Sequence, residues 1–597
     1  MKAKKATKPK PKEIKQTIAR PVFKPNIWLA VISAIFGLCL YLNTVGHQYV
    51  LDDVGTVTDN PNVMQGIKGI PRILTLDMWH FENLNLGYYR PLSLITFAFE
   101  HQFFPNSPRA SHWGNVVLYG VTGFFLCLLL MSLFKHFHPL FAFIITLLFL
   151  AHPIHTEVVA NIKSRDEILA FLNMVIGLYF LLKAYTSPKV SAGCIVASGI
   201  FFYLALLSKE SAMTGLLIAP LLLFFGSNST LKQSAIRAWP FALMILAFQV
   251  NKYVVLGSLS GKLPNDLVNY PYTAAGARLP TTFLIFLQSI KRVLLPHPLS
   301  YDYSYNQIPV GTFGSAGVYV GMLSALAIAW FSFRGLRNKS PLAFGCLFFC
   351  ATIAPALAFV FLRGGIFAER FLYAPSLGFC IALVFLLVSI TRAPFQSPGV
   401  TRQQLSALPG LFLPVLVMVA LYSFKTVTRN RVWHDNLTLF ATDVKASARS
   451  CQVRRHYGGE LINMGMAEKD PQKQTEWFNK GIEQFSEGLK INPHFAEIFF
   501  KLGVAYQTVK VTNDLAIYYY NRAIQEAPGY AIPYNNLGIL YENLGKQELA
   551  SYYYNRAAEV NPFWSEGVRN RDNHKKQTGL DVRVLPASTN LDASVKY

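Results

Sequence analysis

The chain has 597 residues, 52% apolar and 15% charged, with 55 Lys+Arg against 32 Asp+Glu and a formal charge of +23. Soluble domains typically hold about 25% charged residues, whereas the segment 27–424 contains only 37 charges in 398 residues. A wholly soluble enzyme, a disordered chain and a disulfide-stapled secreted domain are excluded, leaving an all-α polytopic membrane protein with a soluble tail.

Residues 1–26 carry nine Lys/Arg and one Glu directly before the first apolar run. Basic residues beside a span resist translocation, so this segment is expected to be a cytoplasmic tail that orients the first helix. That placement accounts for the positive charge without a nucleic-acid partner. Apolar runs that predict spans follow at 27–45, 113–134, 139–154, 167–185, 191–207, 211–226, 237–255, 312–333, 341–361, 370–390 and 408–424. A further run, 281–295, is interrupted by Gln288, Lys291 and Arg292 on one helical face and is expected to be interfacial or re-entrant. With the basic tail inside, Lys/Arg fall in the inside loops 135–138, 186–190, 227–236, 334–340 and 391–407. About eleven spans then place the C-terminal tail outside, together with two long loops, 46–112 and 256–311. Long loops are usually functional, and the first is expected to fold as short helices on the membrane surface. The seven Cys show no paired spacing, so neither a disulfide framework nor a zinc site is indicated.

The tail contains an internal repeat. Leu502-Gly503-Val504-Ala505-Tyr506 recurs as Leu537-Gly538-Ile539-Leu540-Tyr541, and Tyr518-Tyr519-Tyr520-Asn521-Arg522-Ala523 as Tyr552-Tyr553-Tyr554-Asn555-Arg556-Ala557. Pro493, Pro528 and Pro562 close successive units. Small residues where helices cross, aromatics in the gaps and a closing proline fit the tetratricopeptide register. About three repeats over 425–570 are expected to form a short superhelix on the outer face, followed by a polar tail, 571–597.

Chemistry-bearing residues gather at outer span ends. Asp52-Asp53 opens the first outer loop, where paired carboxylates at a membrane boundary are costly unless solvated, paired or used; used, one of them is a general base. His152-Pro153-Ile154-His155-Thr156-Glu157 and Arg165-Asp166-Glu167 flank the next outer turn. A divalent metal on His152, His155 and Glu157 is compatible with ligand chemistry but not indicated, because Pro153 breaks the helical spacing of a zincin pair. Ser208-Lys209-Glu210, Arg363, Glu369, Arg370 and Tyr373 complete the set. Its cations suit a phosphate or pyrophosphate, and its carboxylates suit deprotonation of an incoming nucleophile. No nucleotide-binding glycine loop or nucleophile-elbow serine accompanies them.

Asp52-Asp53 with Asn60-Pro61, Tyr89-Arg90-Pro91-Leu92, His112 with Asn115, the run His152 to Glu157, Arg165-Asp166, Ser208-Lys209-Glu210, the run Ala368 to Ser376 and Lys425…Arg429-Asn430…Trp433 occur in one order. In that order, over about 30–580, the chain resembles the transmembrane-and-tetratricopeptide-repeat family of protein O-mannosyltransferases, of the C-type glycosyltransferase fold. The resemblance implies a membrane enzyme moving a sugar, generally mannose, from a polyprenyl- or dolichyl-phosphate carrier to Ser/Thr hydroxyls of exported proteins. By the same resemblance, one of Asp52 and Asp53 is the base and the other positions it. Lys209, Arg363 and Arg370 are the cations expected to face the phosphate, with Arg90, Glu369 and Tyr373 expected beside them at the donor. His152, His155, Glu157, Arg165, Asp166 and Glu210 position the acceptor or head group. No further cofactor is implied; the lipid-linked sugar is a substrate, and acceptor proteins are expected on the concave face of the repeats. The segment Phe97-Ala98-Phe99-Glu100 departs from the family's Arg/Asn-bearing run. Transfer to a glycolipid or cell-wall precursor, and a non-catalytic carrier or scaffold, remain the alternatives. The short repeat array and lysine-rich start point to a bacterial inner membrane with the repeats in the periplasm; in a eukaryote the same face is the endoplasmic reticulum lumen.

Overall fold

The computed structural model describes residues 26–80, 86–259, 275–357, 367–391, 409–508, 512–562 and 564–586, and all regular structure among them is helical. Among the described residues six helices are long and apolar enough to cross a bilayer: Ile27–Thr44, Pro108–Leu133, Arg165–Thr186, Trp239–Leu256, Ala316–Leu336 and Glu369–Thr391. A bent pair, Pro139–Ala151 and Pro153–Ala160, makes a seventh if counted as one span. Shorter apolar helices, Ala192–Ser208, Glu210–Gly226 and Pro341–Ala356, and the helix Pro409–Asn430, occupy the remaining apolar runs.

The bend has a local cause. His152 precedes Pro153 and takes the extended backbone that a following proline imposes, at φ −64° and ψ 121°. The chain turns by 52° there and carries the polar segment 152–164 across the end of the bundle before Arg165 starts the next helix.

Helices pack on each other through small residues, because lipid offers no hydrophobic drive for association. Gly345 and Gly378 show this most closely. A Cβ on Gly378 would lie 2.5 Å from the Gly345 carbonyl oxygen, and one on Gly345 would lie 2.6 Å from that of Gly378. The two helices, Pro341–Ile353 and Tyr373–Thr391, therefore touch backbone to backbone.

The first outer loop folds as short turns at Val54–Thr58, Pro61–Met64, Gly66–Gly69 and Ile70–Ile73, then the helix Pro91–Phe103. It ends at 107 rather than 112, because Ser107 caps the next helix by accepting from the Ala110 amide and Pro108 occupies its first turn. The interrupted run 281–295 belongs to a longer helix, Ala275–Leu294, whose Arg292 guanidinium lies 5.1 Å from the centre of the Tyr303 ring. Residues 260–274 and 392–408, in the second outer loop and a predicted inside loop, lie outside the described residues.

Pro409–Asn430 continues through Arg431–Trp433 into Asn436–Ala446. Trp433 is buried in one cluster with Val50, Ala160, Tyr301, Leu439 and Phe440. Both outer loops, the bent segment and the start of the C-terminal half thus share one apolar centre. Beyond it the helices pair: Cys451–Ala467 with Pro471–Ile491, Ala496–Thr508 with Asn513–Glu526, and Ala531–Asn543 with Gln547–Val560. Each pair repeats one contact, a glycine under an aromatic ring: Gly458 under Phe485, Gly503 under Tyr520, Gly538 under Tyr554. Ser565–Thr578 is helical, and the segment after it folds back, with Asn555 Nδ2 donating to Asp581 Oδ1 and to the Val582 carbonyl at 3.0 and 2.9 Å. Residues 587–597 lie outside the described residues.

Overpacking a well-packed crossing costs about 1–3 kcal/mol. Gly378→Leu is therefore expected to lower the melting temperature of the detergent-purified protein by several degrees, while Gly459→Ala, mid-helix with nothing within 4 Å, does not lower it and raises it slightly, because alanine favours a helix interior over glycine.

Candidate functional site

A cavity of about 200 Å³ opens where the outer loops meet the C-terminal helices. Asp52, Lys163, Glu157 and Arg370 line it from the membrane half, Tyr301 and Asp302 from the second outer loop, and Gln452 and His456 from the helix Cys451–Ala467. Apolar contact comes from Leu51, Phe367 and Phe371.

The acidic pair divides its work. Asp52 is exposed and faces the cavity, whereas Asp53 is fully buried. Asp53 accepts from the Val50 amide at 3.0 Å and the Lys163 amide at 2.7 Å, tying the first outer loop to the segment after the bend. Burial pushes its pKa up to about 7 against the pull of those two amides. The turn that presents Asp52 is strained: Leu51 sits in the left-handed region at φ 52°. Its amide is held by Asn436 Oδ1 at 3.0 Å, from the C-terminal half.

Behind the cavity lies a buried ionic network. Arg90 donates to Glu210 at 2.9 Å and to Asp166 at 2.8 Å, with its guanidinium 4.6 Å from the centre of the Tyr88 ring. Lys209 pairs with Asp166 at 3.2 Å and Glu167 at 2.9 Å. Lys163 lies 3.8 Å from Asp166 and reaches the cavity. Burial lowers the pKa of Lys163, opposed by Asp166. Arg165 points elsewhere: it pairs with Glu100 at 2.7 Å, donates to Asn115 at 2.7 Å and lies over Phe97. It braces the helix Pro91–Phe103 against Pro108–Leu133.

On the opposite wall Glu157 clamps Arg370 twice, accepting from its backbone amide at 2.8 Å and from its guanidinium. Arg370 keeps 35% of its side chain exposed, so it is both fixed and reachable. Glu369, next in sequence, is turned inward and accepts from the Ser300 amide at 2.7 Å and the Tyr303 hydroxyl at 2.6 Å. His152 and His155 are buried in packing. His152 Nε2 lies 3.0 Å from the Val293 carbonyl, and His155 bridges Tyr119 and Ser376, each at 2.8 Å. The ring of Tyr373 packs on His155 with centroids 4.8 Å apart.

Of the residues singled out in the sequence, Asp52, Glu157 and Arg370 line the cavity. Asp53, Arg90, Asp166, Lys209 and Glu210 stand behind it as support. Arg165, Glu369, His152, His155 and Tyr373 hold the surrounding walls without lining it, and Arg363 lies outside the described residues. Lys209 does not line the cavity, and its ammonium pairs with Asp166 and Glu167. Lys163, Tyr301, Asp302, Gln452 and His456 were not singled out. The signal available for Lys163 was its place two residues before Arg165-Asp166, and for Tyr301 and Asp302 the length of the second outer loop. Gln452 and His456 carried none. Among the described residues no three His, Cys, Asp or Glu side chains converge as metal ligands.

No family model matches the chain. It is 26% identical over 527 residues to protein O-mannosyl-transferase TMTC1 of Homo sapiens, covering 79% of this chain and 56% of that protein. It is 25% identical over 536 residues to protein O-mannosyl-transferase TMTC3 of Homo sapiens, covering 82% and 54%. It is 24% identical over 472 residues to protein O-mannosyl-transferase F38B6.6 of Caenorhabditis elegans, covering 72% and 60%. The chain thus spans somewhat over half the length of these relatives, and the similarity supports its kinship with the transmembrane-and-tetratricopeptide-repeat O-mannosyl-transferases.

Two outcomes follow from the supports. A buried carboxyl with a raised pKa adds stability that is present below about pH 4 and is lost as pH rises toward about 7. Asp53→Asn is therefore expected to flatten the fall in melting temperature between pH 4 and 7, read by thermal unfolding in detergent. Removing one partner of a buried ion pair costs about 3–5 kcal/mol, so Asp166→Ala is expected to unfold the outer face early, read as faster proteolysis there.

Proposed function

We propose that this chain is an integral-membrane glycosyltransferase that moves a hexose from a polyprenyl- or dolichyl-phosphate carrier to Ser/Thr hydroxyls of exported proteins. Mannose is the hexose suggested by the names of its relatives. The observation that carries this reading is that one cavity joins an exposed carboxylate, Asp52, to two cations, Lys163 and Arg370.

The chemistry needs those two things. A Ser/Thr hydroxyl is a poor nucleophile until a base takes its proton. A sugar phosphate already has a good leaving group, so stabilising the departing charge matters more than a general acid. In the proposed step the acceptor oxygen bonds to C1 as the C1–O bond to phosphate breaks. The hydroxyl proton passes to Asp52, and the carrier leaves as a phosphate facing Lys163 and Arg370. One carboxylate acting opposite the leaving group gives a single displacement with inversion. Lys163 takes the place expected of Lys209, and Glu157 sets the guanidinium of Arg370.

The same reading takes eleven spans between 27 and 424, a cytoplasmic 1–26, and the paired C-terminal helices as a tetratricopeptide solenoid on the outer face. Its support is the Lys/Arg bias of the inside loops and the repeated glycine-under-aromatic contact at 458, 503 and 538. That face is the periplasm in a bacterium and the endoplasmic reticulum lumen in a eukaryote. The repeats would then present acceptor proteins to the cavity.

Purified protein incubated with radiolabelled polyprenyl-phosphate mannose and a Ser/Thr-rich peptide is expected to label the peptide. Asp52→Asn is expected to cut transfer by about 100-fold or more, the lower end of general-base effects, with the melting temperature unchanged. Label in lipid redirects the reading to a glycolipid product, and no label in either supports a carrier or scaffold.

A further inference from the structure

The C-terminal half contributes more to the cavity than a wall. Arg455, on the helix Cys451–Ala467, makes three contacts. Its Nε lies 2.9 Å from Glu497 Oε2 on the next helical pair and 3.1 Å from Gln452 Oε1, and its Nη2 lies 2.5 Å from His456 Nε2. A guanidinium can only donate. Gln452 Oε1 is therefore an acceptor toward Arg455, which leaves the Gln452 amide NH₂ as the group presented to the cavity. His456 Nε2 is likewise an acceptor, so the imidazole is neutral and carries its proton on Nδ1. Burial and the neighbouring Arg455 charge also hold the His456 pKa well below its ordinary value.

His456 Nδ1 lies 2.8 Å from the Tyr301 hydroxyl. Since Nδ1 bears the proton, it donates, and the Tyr301 oxygen accepts. The hydroxyl hydrogen of Tyr301 is then left for the cavity that its side chain lines. One guanidinium thus fixes the polarity of two donors, Tyr301 O–H and Gln452 N–H, among the residues that line the cavity. The cavity of about 200 Å³ has room for a single sugar ring. Those donors, the acceptor Asp52 and aromatic carbon match the alternating hydroxyls and C–H faces of a hexose.

We propose that Tyr301 and Gln452 form the hexose subsite of the cavity, with Arg455 and His456 as positioning residues supplied by the C-terminal half. The proposal rests on the reading of the chain as a lipid-phosphate-hexose transferase, but it is a claim about binding and is tested as one.

The test compares the affinity of the full chain in nanodiscs for polyprenyl-phosphate mannose and for sugar-free polyprenyl phosphate. Wild-type protein is expected to prefer the sugar-bearing carrier. Tyr301→Phe and Gln452→Ala are each expected to cut that preference by roughly tenfold, about one hydrogen bond, while affinity for the sugar-free carrier stays constant. Arg455→Lys, which keeps the charge but loses the fork, is expected to cut it by both amounts. An unchanged preference in these variants, an equal loss for both carriers, or no preference in wild type overturns the subsite. A rise confined to the KM of the acceptor peptide also overturns it and reassigns the wall to the acceptor. Sugar-dependent binding without transfer leaves the subsite standing and overturns the catalytic reading instead.

Discussion

Asp166 sits at the end of the polar turn that follows the proline bend, fully buried, with Arg90 at 2.8 Å and Lys209 at 3.2 Å. A carboxylate at a membrane boundary is tolerated only if its charge is answered, and here the answer comes from two separate parts of the chain. Arg90 arrives from the first outer loop, just before its helix Pro91–Phe103, and Lys209 from the turn after Ala192–Ser208. The network therefore sets where those segments meet, and Lys163 is placed by it. The Lys163 amide is held by Asp53, and its ammonium lies between Asp166 and the cavity. A cavity-lining cation at that spot is a by-product of satisfying a buried acid.

The outer face is closed from the other side by the C-terminal half. Arg429 donates to both oxygens of Asp443 at 2.5 and 2.8 Å, and Asp443 in turn accepts from the Tyr301 amide at 2.8 Å. Ser450 donates to Asp302 at 2.6 Å and the Cys451 amide to the Tyr305 carbonyl at 2.9 Å. These bonds join the second outer loop to the start of the paired helices at several points, around the shared apolar centre of Trp433. The membrane bundle and the repeats consequently form one wall together, and the cavity exists only because both are present.

The elements with a local cause were legible in the sequence. Apolar runs near twenty residues, the proline after His152 and the 34- to 35-residue repeat each have a cause within a few positions of themselves. The Asp pair was legible for the same reason, as a charge cluster where lipid forbids charge. What could not be seen was partnership at long range. Lys209 and Lys163 look alike in the sequence, two lysines at outer span ends; only folding shows that Asp166 and Glu167 occupy the first. Glu157 and Arg370, 213 positions apart, become one clamp. Gln452 and His456 look like surface polar residues of a repeat helix, since their importance comes from the loop that packs against them.

The same dependence on distant partners explains how two adjacent aspartates acquire different roles. Their backbone turn is unfavourable, with Leu51 in a conformation that L-residues other than Gly, Asn and Asp seldom adopt. Strain of about 1 kcal/mol or more must be offset by contacts, and three bonds do so. Asp53 turns back to accept from the Val50 amide, the Leu51 amide reaches Asn436, and the Gln48 amide reaches the His434 carbonyl at 2.9 Å. Two of the three come from the C-terminal half. The exposed member of the pair, Asp52, is therefore presented to the cavity by a turn that the start of the C-terminal half holds, while Arg455 contacts Gln452 and His456, two further residues of the cavity lining. Loss of that half would release both at once, so the cavity's shape depends on it directly.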